Sequence, residues 1–234
     1  TTPYEDLSPH ALSGVSRAFW EPDARKLYAA FNYPGVVAHV GAISVDDGKV
    51  ERIAEVKGPF GFFVTSLAFD PESKTLFYTT DNGDHRDVRS LDPKTGATKV
   101  LLHEARIGEL VFNRTDRSLW GVRTLNGIAT LVRIPAPYTE WKQVRSWPYG
   151  ESLYDMDLSP DGTLLSFSVS AVTGQHSLQV MRTEALLAGD ALQTLGFEVL
   201  ASRPRGEALA ARRAEAVLLL ARAIGADGMA GGQA

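Results

Sequence analysis

The chain contains no cysteine. Disulfides, thiolate zinc ligands and a cysteine nucleophile are therefore excluded, while the redox compartment stays open. Long apolar runs are missing as well. The longest, AVLLLA at residues 216–221, falls far short of the roughly 20 residues that a membrane-spanning helix needs. Charge of one sign is not in excess: 24 Lys plus Arg against 28 Asp plus Glu leave a net charge of −4. That balance gives no electrostatic basis for nucleic acid, which recognises a basic face. Extended helical periodicity is absent before residue 183. The sequence opens on Thr1 with no basic-then-apolar leader, and we read it as a piece of something longer.

What is present is ordinary for a folded globular chain. Hydrophobic residues make up 44% and charged residues 22% of 234 positions, enough to bury a core of one large or two small domains. Four segments share one grammar, an apolar pair, a short polar turn and a second apolar strand: AFWEPDARKLYAAF (18–31), LAFDPESKTLFYTT (67–80), LVFNRTDRSLWGVR (110–123) and MDLSPDGTLLSFSV (156–169). Aligned on the apolar residue before the turn, they start at Trp20, Phe69, Phe112 and Leu158, with spacings of 49, 43 and 46 residues. A repeat of roughly 40–50 residues built from several short strands marks β-propeller blades. KLYAAF, TLFYTT, SLWGVR and LLSFSV are rich in aromatic, β-branched and small residues and are bounded by turn formers. Each unit continues into a polar loop, a third strand, a tight turn and a fourth strand. The tight turns are Asp46-Asp47-Gly48 in the first unit and Asp92 to Gly96 in the second, where glycine accepts the positive φ required. The third unit has a longer connection, PAPYTEW at 135–141.

LSPDG (158–162), its relatives WEPDAR and FDPESK, and SLDPKTG (90–96) resemble the repeats of TolB-like β-propellers. They are also similar to those in the propeller domains of prolyl-oligopeptidase-like enzymes. The resemblance covers about residues 15–190. Only the fourth unit has glycine, Gly162, at the turn, the third lacks proline, and the Trp-Asp dipeptide of WD40-like repeats is absent. The expected fold class is all-β: a β-propeller of four-stranded antiparallel blades spanning 1–195, with about four blades visible. TolB-like rings generally have more, so the resemblance implies an incomplete ring.

Residues 196–234 speak a different language. From 201 onward there are eleven alanines, five arginines and no lysine. Leu209, Ala216, Leu220 and Ile224 fall near one helical stripe, and Gly225 and Gly228 would stop such a helix. A helical tail is expected, with three readings open: a docking helix, a capping helix, or a segment foreign to the propeller such as a reading-frame change.

Chemical motifs are scarce. In Asp81-Asn82-Gly83-Asp84-His85-Arg86-Asp87 the acids recur every third residue, Arg86 opposes a cation and no EF-hand spacing is met. The expectation is a hairpin tip, with no metal ligands assigned. There is no G-x-S-x-G elbow, the five histidines lie singly, and no phosphate loop occurs. Neither catalytic residues nor cofactor-binding residues are assigned. Asn113-Arg114-Thr115 matches the glycosylation triplet inside a blade turn. Aromatic residues are the remaining signal. GPFGFF (58–63) and RSWPYGESLYD (145–155) each lead into a blade, so Phe60, Phe62, Phe63, Trp147 and Tyr149 are candidates for an interaction surface, with inter-blade packing as the alternative.

The expected function is a non-catalytic scaffold that binds protein partners within a larger exported or envelope-associated protein. The TolB resemblance implies a periplasmic location. The alternative is the substrate-gating propeller of a prolyl-oligopeptidase-like serine peptidase without its catalytic domain. A third reading, a propeller hydrolase with an axial metal, needs inward acids or histidines from several blades.

Overall fold

The computed structural model describes residues 18–31, 37–56, 63–81, 86–184 and 210–224. Four antiparallel sheets follow one another along the chain. Blade 1 holds β1 (Ala18–Glu21), β2 (Lys26–Phe31), β3 (His39–Ser44) and β4 (Val50–Glu55). Blade 2 holds β5 (Phe63–Asp70), β6 (Thr75–Asp81), β7 (Val88–Leu91) and β8 (Thr98–Leu102). Blade 3 holds β9 (Ile107–Asn113), β10 (Ser118–Leu125), β11 (Ile128–Ile134) and β12 (Lys142–Ser146). Blade 4 shows three strands among the described residues, β13 (Ser152–Leu158), β14 (Leu164–Ser170) and β15 (His176–Arg182). In every sheet the strands pair in chain order. The first strands β5, β9 and β13 pack on one another across blades and so lie nearest the axis. This is the propeller arrangement that the repeat predicts, with its spacing set by one four-stranded unit.

Strand alternation explains the packing. Successive side chains point to opposite sheet faces, and both faces of the middle blades are apolar. Tyr28 and Val40 of blade 1 meet Leu67, Phe69 and Leu76 of blade 2. On the other side, Phe77 of blade 2 meets Ile107, Leu119 and Ile134 of blade 3. Trp120, Leu131 and Trp147 then meet Met156 and Phe167 of blade 4. Each fully buried large side chain contributes about 1.5–3 kcal/mol. These three clusters supply the bulk of the cohesion, and each joins consecutive blades.

The turns between first and second strands add direction. Arg25, Lys74 and Arg117, each five residues past the aligned apolar residue, share positive φ at 49°, 54° and 56°, and in the fourth unit the positive φ falls one position earlier, at Gly162 (69°). The first three turns thus reach the left-handed region without glycine. The side chains there serve the junctions instead. Lys74 Nζ donates to Glu21 Oε1 (2.7 Å) and Asp23 Oδ2 (3.0 Å) of the preceding blade. Arg117 repeats the arrangement, donating to Asp70 Oδ2 at 2.6 Å and to Glu72. At the third junction the charges disappear together: Asn113 Nδ2 donates to Gly162 O (3.1 Å) and Thr115 Oγ1 to Asp161 O (2.7 Å). Glu21, Asp70 and Asn113 are all buried. Asn113 thus belongs to a blade junction and is closed to glycosylation.

The latches differ in completeness. Ser73 Oγ donates to Asp70 Oδ2 at 2.7 Å, whereas the matching residue of blade 1 is Ala24. Glu21 Oε2 is the one buried side-chain atom without a partner among the described residues.

The expected tail helix is present as α1 (Ala210–Ile224), with Leu218 and Leu219 exposed. The hairpin tip expected around Asn82 and Gly83 lies outside the described residues.

Glycine substitution separates backbone strain from junction packing. A Cβ on Gly162 would sit 2.2 Å from Asn113 Oδ1, while one on Gly48, at nearly the same φ, meets nothing within 4 Å. Gly48→Ala should lower stability by about 1 kcal/mol, and Gly162→Ala by about 2–4 kcal/mol because the overlap adds to the strain. Urea denaturation of both variants checks the difference.

Candidate functional site

The two ends of the blades differ. One carries the latched turns. The other carries the linkers that run from the outermost strand of one blade to the innermost strand of the next, together with the loops between second and third strands. Backbone hydrogen bonds tie the linker to that loop or to the strand end beside it at each described crossing: Val56 N–H to Ala38 O (2.8 Å), Arg106 N–H to Arg86 O (3.1 Å) and Trp147 N–H to Ala129 O (2.9 Å). Gly150 N–H also donates to Gly127 O at 2.8 Å.

Asp87 strengthens the crossing between blades 2 and 3. It is buried, and its Oδ1 faces His103 Nδ1 at 2.7 Å and accepts the Glu104 N–H at 3.0 Å. Arg89 donates to Oδ2 at 3.2 Å. Burial pushes this carboxyl up, but the Glu104 amide, His103 and Arg89 outweigh it and hold Asp87 below the ordinary carboxylate range. Asp87 is thus a clamp on a linker 16 and 17 residues away, and not a turn acid. His103 and Glu104 lie in that linker, beyond the end of β8.

The polar residues nearest the axis come from a repeated irregularity. The innermost strands of blades 2, 3 and 4 are each bulged, around Thr65, Glu109 and Asp155. Glu109 and Asp155 have φ of 51° and 54°, and Glu109 Oε2 accepts the Asp155 N–H at 3.1 Å. Thr65, Ser66 and Thr79 share hydroxyl contacts of 2.6 and 2.7 Å. No group of three or more metal-ligating side chains occurs among the described residues.

The aromatic candidates divide. Phe60 and Phe62 lie outside the described residues, as does the side chain of Phe63, whose backbone begins β5. Trp147 is 5% exposed; it packs edge-on to Phe167 at 5.3 Å, with the Arg145 guanidinium over its other side at 4.8 Å. Tyr149, two residues on, is 76% exposed. Its ring lies on the Gly127 turn, where a Cβ would come within 2.5 Å of it. Val172, 74% exposed in the β14–β15 turn, lies over Gly150 in the same way, and Ile128 beside Gly127 is also exposed. Ile128, Tyr149 and Val172 thus gather around two tethered glycines on the linker face. Sequence reasoning reached Tyr149 and missed the other two, which come from separate loops; their local signals are the Asn126-Gly127 turn before Ile128 and the Thr173-Gly174 turn after Val172.

No protein-family model matches the chain, and no curated protein matches it by sequence. Solved structures do. TolB from Acinetobacter baumannii superposes with a TM-score of 0.58 at 14% identity, over 73% of this chain and 41% of that one. The fold is that of a TolB-like β-propeller. A putative TolB from Agrobacterium tumefaciens gives 0.57 at 13% identity, over 70% of this chain and 59% of that chain. A puromycin hydrolase S511A mutant complexed with PGG gives 0.55 at 15%, over 75% of this chain and 28% of that one. The chain therefore spans about half the length of the two TolB structures. At these identities the likeness speaks for the fold alone.

The Asp87 clamp sets a pH dependence. Because its folded pKa is depressed, its contribution is present above the unfolded value of about 3.9 and is lost as pH falls through the folded value. Asp87→Asn should cost about 1–3 kcal/mol at neutral pH. It should also flatten the acid limb of a stability profile measured below about pH 5.

Proposed function

We propose that this chain is a non-catalytic β-propeller scaffold, a protein-interaction segment of a larger exported or envelope-associated protein. The observation that carries the reading is the exposed apolar cluster of Tyr149, Val172 and Ile128 on the linker face. Apolar side chains held on short, hydrogen-bonded turns lose little freedom when a partner covers them. Tyrosine supplies a large amphipathic contact with two rotatable bonds. Trp147 acts from beneath, anchoring in the core the linker that presents Tyr149. Phe60, Phe62 and Phe63, in the segment that joins blades 1 and 2 in sequence, are proposed for the same role. The periplasmic or envelope location rests on the likeness to TolB structures.

A second reading has one specific observation in its favour, the match to a propeller-sized share of a puromycin hydrolase. On that reading the chain gates a prolyl-oligopeptidase-like catalytic domain carried elsewhere, and the same face meets that domain.

A photo-crosslinking residue placed at Tyr149 or Val172 in the natural host should capture one defined protein species. The same residue at Lys142 on an outer strand should not. In the scaffold reading the adduct is a separate protein; in the gating reading it is a hydrolase domain of the same polypeptide. Equal yields from all three positions would refute a contact role for the linker face.

A further inference from the structure

We infer that the junction between blades 1 and 2 is a hinge: its turn end opens ahead of the next junction, while the linker crossing holds as the pivot. Both blades of this junction are described, and the junction between blades 2 and 3 carries the same ionic latch at the same positions.

The first latch is the weaker of the two in its base, in one missing hydroxyl and in one orphaned oxygen. Lys74 has a single nitrogen and divides it between Glu21 Oε1 (2.7 Å) and Asp23 Oδ2 (3.0 Å). Arg117 offers a separate nitrogen to each acid, Nη2 to Asp70 and Nη1 to Glu72. A guanidinium fork is pre-organised for carboxylates in a way that an ammonium is not. In blade 2, Ser73 donates its hydroxyl to Asp70 Oδ2 at 2.7 Å and its N–H to Oδ1 at 3.3 Å. Ala24, at the matching position of blade 1, has no hydroxyl to give. Glu21 is 3% exposed, close to the 1% of Asp70, yet its Oε2 has no hydrogen-bond partner among the described residues. A carboxyl oxygen left unsatisfied in the interior raises the free energy of the closed junction, and water relieves it once the junction opens.

Apolar packing does not compensate. The large side chains fully buried at this junction, Leu67, Leu76 and Leu91, all come from blade 2. Blade 1 meets them with Ala30, Ala38, Ala42 and Val40 beside Tyr28. At the next junction both sides contribute large side chains, Phe77 from blade 2 and Ile107, Leu119 and Ile134 from blade 3. Smaller side chains bury less area and hold the sheets less firmly. The linker end differs, because Val56 N–H donates to Ala38 O at 2.8 Å, as short as any of the later crossings. A weak latch and a firm crossing at opposite ends of one junction let blade 1 tilt locally, below the free energy of global unfolding.

The chain has no cysteine, so a thiol introduced at one buried alanine reports opening at that place alone. Ala42→Cys lies in the turn half of the first junction, Ala38→Cys at its linker end, and Ala68→Cys in the turn half of the second. The three alanines are 1%, 5% and 0% exposed. Labelling of the folded full chain, under conditions where the rate follows the open population, should be about tenfold faster at Ala42→Cys than at the other two. Adding Ala24→Ser, which restores the hydroxyl, should slow Ala42→Cys about tenfold and leave Ala68→Cys unchanged. Lys74→Arg, which restores the fork, should slow it as well. If Ala42→Cys does not fold, Leu76→Cys on the facing strand reports the same end. Equal rates at the three positions would overturn the inference. So would labelling of Ala42→Cys that neither Ala24→Ser nor Lys74→Arg slows.

Discussion

A base in the left-handed turn of one blade, held against a buried acid of the blade before it, orders this propeller. Apolar burial supplies more free energy, but it is non-directional and would tolerate sheets sliding over one another. The Asp70–Arg117 pair, with Asp70 buried and Arg117 reaching it at 2.6 Å, fixes both distance and angle. A left-handed conformation at a residue with a side chain costs about 1–2 kcal/mol. Leaving a buried carboxylate unpaired costs several kcal/mol. The second effect is larger, so the pair outweighs the strain of the turn that presents the base.

The two ends of the blades consequently have different work. On the turn end, charge and hydrogen bonding are consumed in blade-to-blade contacts. On the linker end, hydrogen bonds are consumed within each crossing, through Asp87 or through the Gly127–Gly150 backbone pair. That leaves Tyr149 and Val172 outside, on a rigid base. A scaffold needs this division: one end closed by its own architecture, the other stiff enough to present apolar side chains without losing them to the core.

Much of the fold was legible because it rests on local patterns. Turn residues and alternating strands recur at the blade period, and Gly48 and Gly96 sit at positive φ as their turns require. The latches were not legible, since Lys74 and Arg117 look like ordinary surface charges. Their partners are acids 47 to 53 residues away, as the Arg117–Asp70 and Lys74–Glu21 pairs show. Asp87 was misread for a related reason: it stands in a run of acids that suits a turn, while its partners lie in the following linker. At the candidate site, Trp147 and Tyr149 are two residues apart with opposite fates, and only tertiary packing decides which is buried. Tyr149 and Val172 come together across two loops that share no motif.

The most direct measurement of the latch is a double-mutant cycle across the second junction, using Asp70→Asn, Arg117→Met and the pair, each followed by urea denaturation. The account predicts strong coupling, with the double variant losing clearly less stability than the two single losses combined. Simple additivity would contradict it, leaving Asp70 and Arg117 as independent contributors and the blade order to apolar packing alone.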